Sequence, residues 1–220
     1  MIDVCVRKLD DAWLGLAYTG EEIVATALRY AKETTLKSLL RSLPPNANYQ
    51  IVEKESGFAE RTLLELKEVH LGRQEFKDFT LATEHVPEPQ ASVLKAAASI
   101  PIGYVTSYGN IAKAAGSEPK TVGQIMASNP LYPIVPCHRV VGSDLSLVGY
   151  GGRRSPQALK AKLARLEAER RDYTTEKEIQ LKKTKLKVYP VEEAIKKAKK
   201  QGLNPSDKRQ RTLTSYESDR

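Results

Sequence analysis

Near the start of the chain, apolar and polar side chains alternate almost one for one. Asp3-Val4-Cys5-Val6-Arg7 does so, and Trp13-Leu14-Gly15-Leu16-Ala17-Tyr18 follows after the Asp10-Asp11 pair. A period of two is the signature of a strand, and adjacent acidic residues suit the turn between two strands, so residues 1–20 predict a strand pair. After Thr19-Gly20-Glu21-Glu22 the rhythm changes. Leu28, Ala31, Thr35, Leu36 and Leu39 fall at helix-compatible spacing, which predicts a helix within residues 23–43 that Pro44-Pro45 stops. Leu63, Leu64, Leu66, Val69 and Leu71 predict a second helix over about 59–71, ended by Gly72. Together these make an α/β (α+β) scaffold domain over residues 1–88 with no chemistry legible in it. Glu84-His85-Val86-Pro87-Glu88-Pro89 is the predicted linker, with His85 as a surface residue.

Beyond the linker the pattern is mostly helical, predicting a mainly α domain over residues 89–171. A helix is expected from Ala91 to Ser99, broken by Ile100-Pro101-Ile102-Gly103-Tyr104-Val105. Two short helices follow. The first is capped by Ser107 and ended by Gly116; the second is capped by Ser117, with Pro119 in its first turn and a body from Lys120 to Ala127. Two short helices joined by a glycine-containing turn are the plan of a helix-turn-helix, here winged-helix-like, and the small residues Gly123, Ala127 and Ser128 on the second would permit close approach to a groove. Asn129-Pro130 ends that helix. Gly142-Ser143-Asp144 predicts a turn, and Val148-Gly149-Tyr150-Gly151-Gly152 a loop through which backbone can approach a ligand closely. Gln157 to about Arg170 predicts a last helix of the domain, with Leu159, Leu163 and Leu166 on one face and Glu167 near its end. Residues 172–220 read as a charged, solvated, partly disordered tail whose removal should leave the chemistry untouched. One credible helix lies within it, from Pro190 to Gln201, carrying a thin stripe of Val191, Ala194, Ile195 and Ala198. A DNA-contacting appendage is the alternative.

Composition adds modest constraints. The 220 residues are 40% hydrophobic and 28% charged, with a formal charge of +8, which leans towards a polyanionic partner. Two cysteines far apart make no disulfide framework, and no run resembles a signal core or a membrane span, so an intracellular, cytoplasmic protein with reduced thiols is expected. Cys5 reads as a small buried hydrophobe. His70 and His85 are too few to complete a zinc site with it, so no metal is expected.

The chemistry concentrates in Ile134-Val135-Pro136-Cys137-His138-Arg139-Val140-Val141, which sets one of two cysteines beside one of three histidines. A neighbouring base or positive charge turns a modest thiol into a strong nucleophile, and His138 and Arg139 are candidates for that task. A bare Cys-His pair equally describes a buried cysteine with a structural histidine. A Cys-His hydrolase and a simple DNA-binding regulator remain open on these residues alone.

In order, Ile100 to Gly109, Val122-Gly123, Asn129-Pro130, Pro136-Cys137-His138-Arg139-Val140-Val141 and Gly149-Tyr150-Gly151-Gly152 resemble the C-terminal domain of the O6-alkylguanine-DNA alkyltransferases, over roughly residues 89–168. The resemblance implies direct-reversal repair. The partner would be double-stranded DNA carrying O6-alkylguanine, and O4-alkylthymine is a possible second substrate. The protein would act as a monomer, without a cofactor, in a single irreversible turnover. Cys137 would be the alkyl acceptor, His138 would take its proton through a water, and Glu167 would orient His138. Asn129 would fix the turn after the recognition helix, and Tyr108 would donate to the departing base. Lys120 stands where the family has an arginine finger, with the bulkier Thr121 and Gln124 beside it on the groove-facing helix. Arg139, backbone groups at Cys137 and Val140, and the Tyr150-Gly151 loop would contact DNA or line the guanine pocket.

Overall fold

A computed structural model describes residues 1–76, 80–82 and 86–204. Glu84 and His85 of the predicted linker therefore lie outside the described residues, and its last two residues, Glu88 and Pro89, open a helix. The chain divides into two compact units, each described here by itself.

The first unit holds residues 1–86 together with Pro130–Ile134. Strands β1 (Ile2–Leu9), β2 (Ala12–Thr19) and β3 (Glu22–Arg29) form an antiparallel meander, with β4 (Tyr49–Ile51) parallel to β1 and β5 (Thr80–Leu81) parallel to β3. The β1–β2 turn is made by Asp10 at φ 57°, a left-handed conformation that aspartate tolerates better than most side chains. Helices α1 (Lys32–Ser42) and α2 (Gly57–His70) both pack against this sheet. Gly15 on β2 allows the close approach of α1, since a Cβ there would run into the Leu39 side chain and lie 3.0 Å from Thr35 Cγ2. The core is Val4, Ala17, Val24, Ala25, Ala27 and Leu39. The expected strand pair and second helix are present. The expected helix within 23–43 is half strand: β3 occupies Glu22–Arg29, and only Lys32 to Ser42 is helical. Residues 23–28, apolar except for Thr26, are buried throughout, and a short run of that kind fits a buried strand as well as a helix.

The second unit begins with α3 (Glu88–Ala98), β6 (Tyr104–Ser107), α4 (Tyr108–Ala115) and α5 (Pro119–Ala127). Ser107 Oγ accepts from the Asn110 N–H and caps α4 as expected, and Gly116 at φ 63° ends it. The N-cap of α5 is Glu118 rather than Ser117 and makes no side-chain cap bond. A single 3-10 turn (Cys137–Arg139) leads into β7 (Val140–Val141), and α6 (Pro156–Ala168) is capped by Ser155.

The segment read as a solvated tail differs most from expectation. Residues 177–200 form β8 (Lys177–Gln180), β9 (Lys185–Pro190) and α7 (Val191–Lys200). β9 pairs antiparallel with β6 and β8 with β9, giving a sheet ordered β7-β6-β9-β8. The thin stripe of Val191, Ala194, Ile195 and Ala198 is entirely buried, in one core with Val105, Val141, Leu163 and Leu166. Leu186, Val188 and Pro190 alternate inward along β9, while Lys185 and Lys187 point away. A sparse apolar pattern suffices because β6 and α6 supply the opposing surface.

Candidate active site

Pro136 leads the chain into the 3-10 turn, closed by the Arg139 N–H donating to Pro136 O at 2.8 Å. The turn presents three consecutive side chains, all buried, with Cys137 9% exposed. Asn129 Nδ2 donates to Val135 O at 2.7 Å, so the end of α5 is tied to the residue two before the thiol.

His138 Nε2 lies 2.7 Å from Glu169 Oε1. Arg139 grips the same carboxylate with two N–H groups, Nε to Oε2 at 2.8 Å and Nη2 to Oε1 at 2.9 Å, and donates through Nη1 to Ile100 O at 2.6 Å. Burial pushes the Glu169 carboxyl up, but His138 and Arg139 outweigh it and hold it at about 2. Burial lowers the pKa of His138, with Glu169 opposing. The imidazole is therefore neutral at physiological pH and can accept a proton, with a fixed anion behind it to stabilise the cation formed.

Lys162 is wholly buried, its Nζ donating to Val140 O at 2.5 Å and Gly149 O at 3.0 Å, and lies 5.9 Å from the centre of the Tyr108 ring. Burial brings its pKa down to about 8, with the negative charge of a Cys137 thiolate opposing. Burial and that same thiolate push the Tyr108 phenol up to about 12, so it stays a hydrogen-bond donor. A Cβ on Gly123 would be 4.0 Å from the Tyr108 ring, which places α5 beside it. On α5, Val122 and Met126 are buried, Lys120 and Gln124 are exposed, and Thr121 is half-exposed. Tyr150 and Arg153 close a tight loop by reciprocal backbone bonds, and Gly151 and Gly152 take φ 56° and 75° in it, conformations that suit glycine.

The structure brings Cys137, His138, Tyr108 and Val140 into one neighbourhood and corrects two expectations. Glu167 is not the partner of His138: its carboxylate pairs with Lys199 at 2.7 Å, and Glu169 takes the role. Arg139 is no DNA contact, since its guanidinium is buried and committed to Glu169 and Ile100. Sequence reasoning missed Glu169 and Lys162, and helical spacing carries no signal that separates the two acids. Residue 167 stands four after Leu163 and residue 169 three after Leu166, so both border the leucine stripe of α6, and only the fold gives Glu169 to His138 and Glu167 to Lys199. Among the described residues, no group of three His, Cys, Asp or Glu side chains is arranged to hold a metal.

Residues 88–171 match the family described as the DNA-binding domain of 6-O-methylguanine DNA methyltransferase. A methylated-DNA–protein-cysteine methyltransferase of Mycobacterium leprae is 32% identical over 173 residues, covering 77% of this chain and 94% of that protein. The chain belongs to the methylated-DNA–protein-cysteine methyltransferase family. The Pyrobaculum aerophilum methylated-DNA–protein-cysteine methyltransferase is 58% identical over 53 residues, a match spanning 24% of this chain and 36% of that relative. The crystal structure of Mycobacterium tuberculosis O6-methylguanine methyltransferase aligns with a TM-score of 0.55 and 28% identity, over 80% of this chain and 96% of its own. The M. tuberculosis protein has also been solved in complex with DNA, and that structure aligns with a TM-score of 0.54. By family, then, the chain is a DNA-binding methyltransferase of mixed α/β architecture, and the family name states its chemistry: a methyl group passes from methylated DNA to a protein cysteine. Among the described residues, no helix is long and apolar enough to cross a membrane.

Proposed function

We propose that the protein repairs O6-alkylguanine in duplex DNA by irreversible transfer of the alkyl group to Cys137. The observation that carries this reading is the buried Glu169–His138 pair adjoining the thiol, with Arg139 holding the acid ionised. His138 takes the thiol proton through a water. The sulfur then attacks the alkyl carbon, a C–S bond forms as the C–O6 bond breaks, and the electron pair withdraws into the guanine ring. The Tyr108 hydroxyl, held protonated, donates to the ring nitrogen that gains charge. The Lys162 ammonium, within electrostatic reach of the sulfur, favours the thiolate. A thioether has no easy leaving route, so each molecule reacts once.

The lesion carbon is inaccessible inside a stacked duplex, so the nucleotide rotates out into the pocket at a cost of a few kcal/mol. The exposed face of α5 enters the minor groove, with Lys120 filling the vacated stack and Thr121 and Gln124 beside it. Lysine keeps the charge of an arginine finger but lacks its planar head, so flipping is less efficient than with arginine. Val140 and the Tyr150-Gly151 loop line the base pocket. O4-alkylthymine presents the same alkyl–oxygen bond and is a slower second substrate.

The test is incubation with duplex DNA carrying radiolabelled O6-methylguanine. One label per protein, recovered on the Cys137 peptide, is expected. Absence of label, or turnover beyond one equivalent, overturns the reading.

A further inference from the structure

The region matched by the family ends at residue 171, whereas the second unit continues through β8, β9 and α7. We infer that the β8–β9 hairpin is a second DNA contact, a lysine-tipped wing that grips the duplex backbone beside the α4–α5 helix pair. This rests on the reading of the domain as duplex-binding and adds a surface that the family match does not contain.

The hairpin is fastened along α4. Thr106 Oγ1, just before that helix, donates to Lys187 O at 2.5 Å, and Asn110 Nδ2 donates to the same carbonyl at 3.2 Å. At the far end, Thr184 Oγ1 of the hairpin loop donates to Ala114 O at 3.2 Å. Asn110 and Ala114 are one turn apart on α4, so the hairpin follows one side of the helix and delivers its tip to the turn before α5. The base is fixed as well: Tyr173 stacks on Tyr104 with ring centres 5.0 Å apart, and Lys177 Nζ lies 4.9 Å from the centre of the Tyr104 ring.

Charge is distributed unevenly along this element. Lys185 pairs with Glu178 at 2.9 Å and Lys187 with Glu176 at 2.8 Å. Lys182 and Lys183, at the tip, are exposed and in no ion pair with a described residue. Exposed Lys113 on α4 acts electrostatically on Glu178, which places one more exposed lysine beside the hairpin. The side chains that stiffen the hairpin are thus neutralised internally, while those at its end keep their charge for an external anion. Flexible ammonium groups without base-reading geometry suit phosphates, which position a duplex without reading its sequence.

The test compares the full chain with a Lys182→Ala/Lys183→Ala variant, whose altered side chains are solvent-exposed. Affinity for an undamaged duplex is measured by fluorescence anisotropy across a salt series, and alkyl transfer to Cys137 from free O6-benzylguanine base is measured in parallel. The expected result is a salt slope shallower by about 2, an affinity about tenfold weaker at low salt, and unchanged transfer from the free base. A Lys196→Ala/Lys200→Ala variant on α7, equal in charge removed, keeps the wild-type slope. If the tip variant binds with wild-type affinity and slope, or the α7 variant loses as much, the hairpin contact is wrong while the repair reading stands. If the wild type binds no duplex, both fall together.

Discussion

The two cysteines of this chain are both buried, and their surroundings are opposite in character. Cys5 is 1% exposed on β1 within the first unit's sheet, and burial, with the charge of Glu55 adding to it, pushes its thiol up to about 12. A backbone hydrogen bond at Leu16 favours a thiolate but is outweighed, so Cys5 acts as a small apolar side chain. Cys137 is scarcely more accessible, but it sits on a turn whose next residue is a neutral imidazole backed by an ionised carboxylate, with the buried ammonium of Lys162 nearby. Removing a thiol from water makes it inert unless the groups replacing water are themselves polar and fixed. The first unit spends its interior on Val, Ala and Leu; the second encloses Arg139, Glu169, His138 and Lys162, all of them buried.

The sharpest way to break this contrast is to delete each sulfur in turn. Cys137→Ala abolishes labelling from O6-methylguanine DNA, while Cys5→Ala retains stoichiometric labelling and loses only about 1 kcal/mol of stability in urea unfolding. Label on Cys137→Ala protein would show that burial among apolar residues does not silence a thiol.

Next in size is the pair of acids at the end of α6. Glu169→Gln leaves the buried guanidinium of Arg139 without its anion, costing about 3–5 kcal/mol of stability, and slows transfer on the order of a hundredfold. Glu167→Gln removes a partly exposed pair with Lys199, changes stability by less than about 1 kcal/mol, and leaves the rate alone. Urea unfolding and single-turnover kinetics on both variants decide between the two acids. Equal effects would dissolve the distinction drawn between them.

The smallest effect is a pH dependence. Lys162 has a folded pKa of about 8, below its ordinary 10.5, so the unfolded chain binds that proton more tightly between those values. Stability contributed by this residue therefore rises as pH climbs from about 8 to 10.5. Thermal unfolding of the wild type should gain on a Lys162→Met variant across that window, whereas transfer from free base should decline as the ammonium is neutralised. A constant gap would mean that Lys162 carries no perturbed charge.

Much of this was legible from local pattern. Alternation revealed β1 and β2, Ser107 and Gly116 bounded α4, and the Pro136-Cys137-His138 run marked a buried thiol beside a buried imidazole. What escaped depends on partners distant in sequence. β3 reads as helix because a short apolar run carries no decisive period. β9 was hidden because Leu186 and Val188 gain meaning only against β6, some 80 residues earlier. Glu167 and Glu169 each stand three or four residues from a leucine of α6, so spacing does not choose between them, and the acid that commits Arg139 lies 30 residues away in sequence.

The position of β9 also bears on the order in which the protein is made. A nascent chain that has reached Arg171 already carries Cys137, His138, Arg139, Lys162 and Glu169, yet β6 still has one open edge and the inner face of α6 has no α7 against it. An unpaired strand edge next to exposed Leu163 and Leu166 is an invitation to aggregation. Synthesis thus passes through an interval in which Cys137 and the polar groups around it exist and the sheet beside them is unfinished. That interval closes only when residues 185–198 have emerged, which makes this later-made segment the one that protects the chain while it folds.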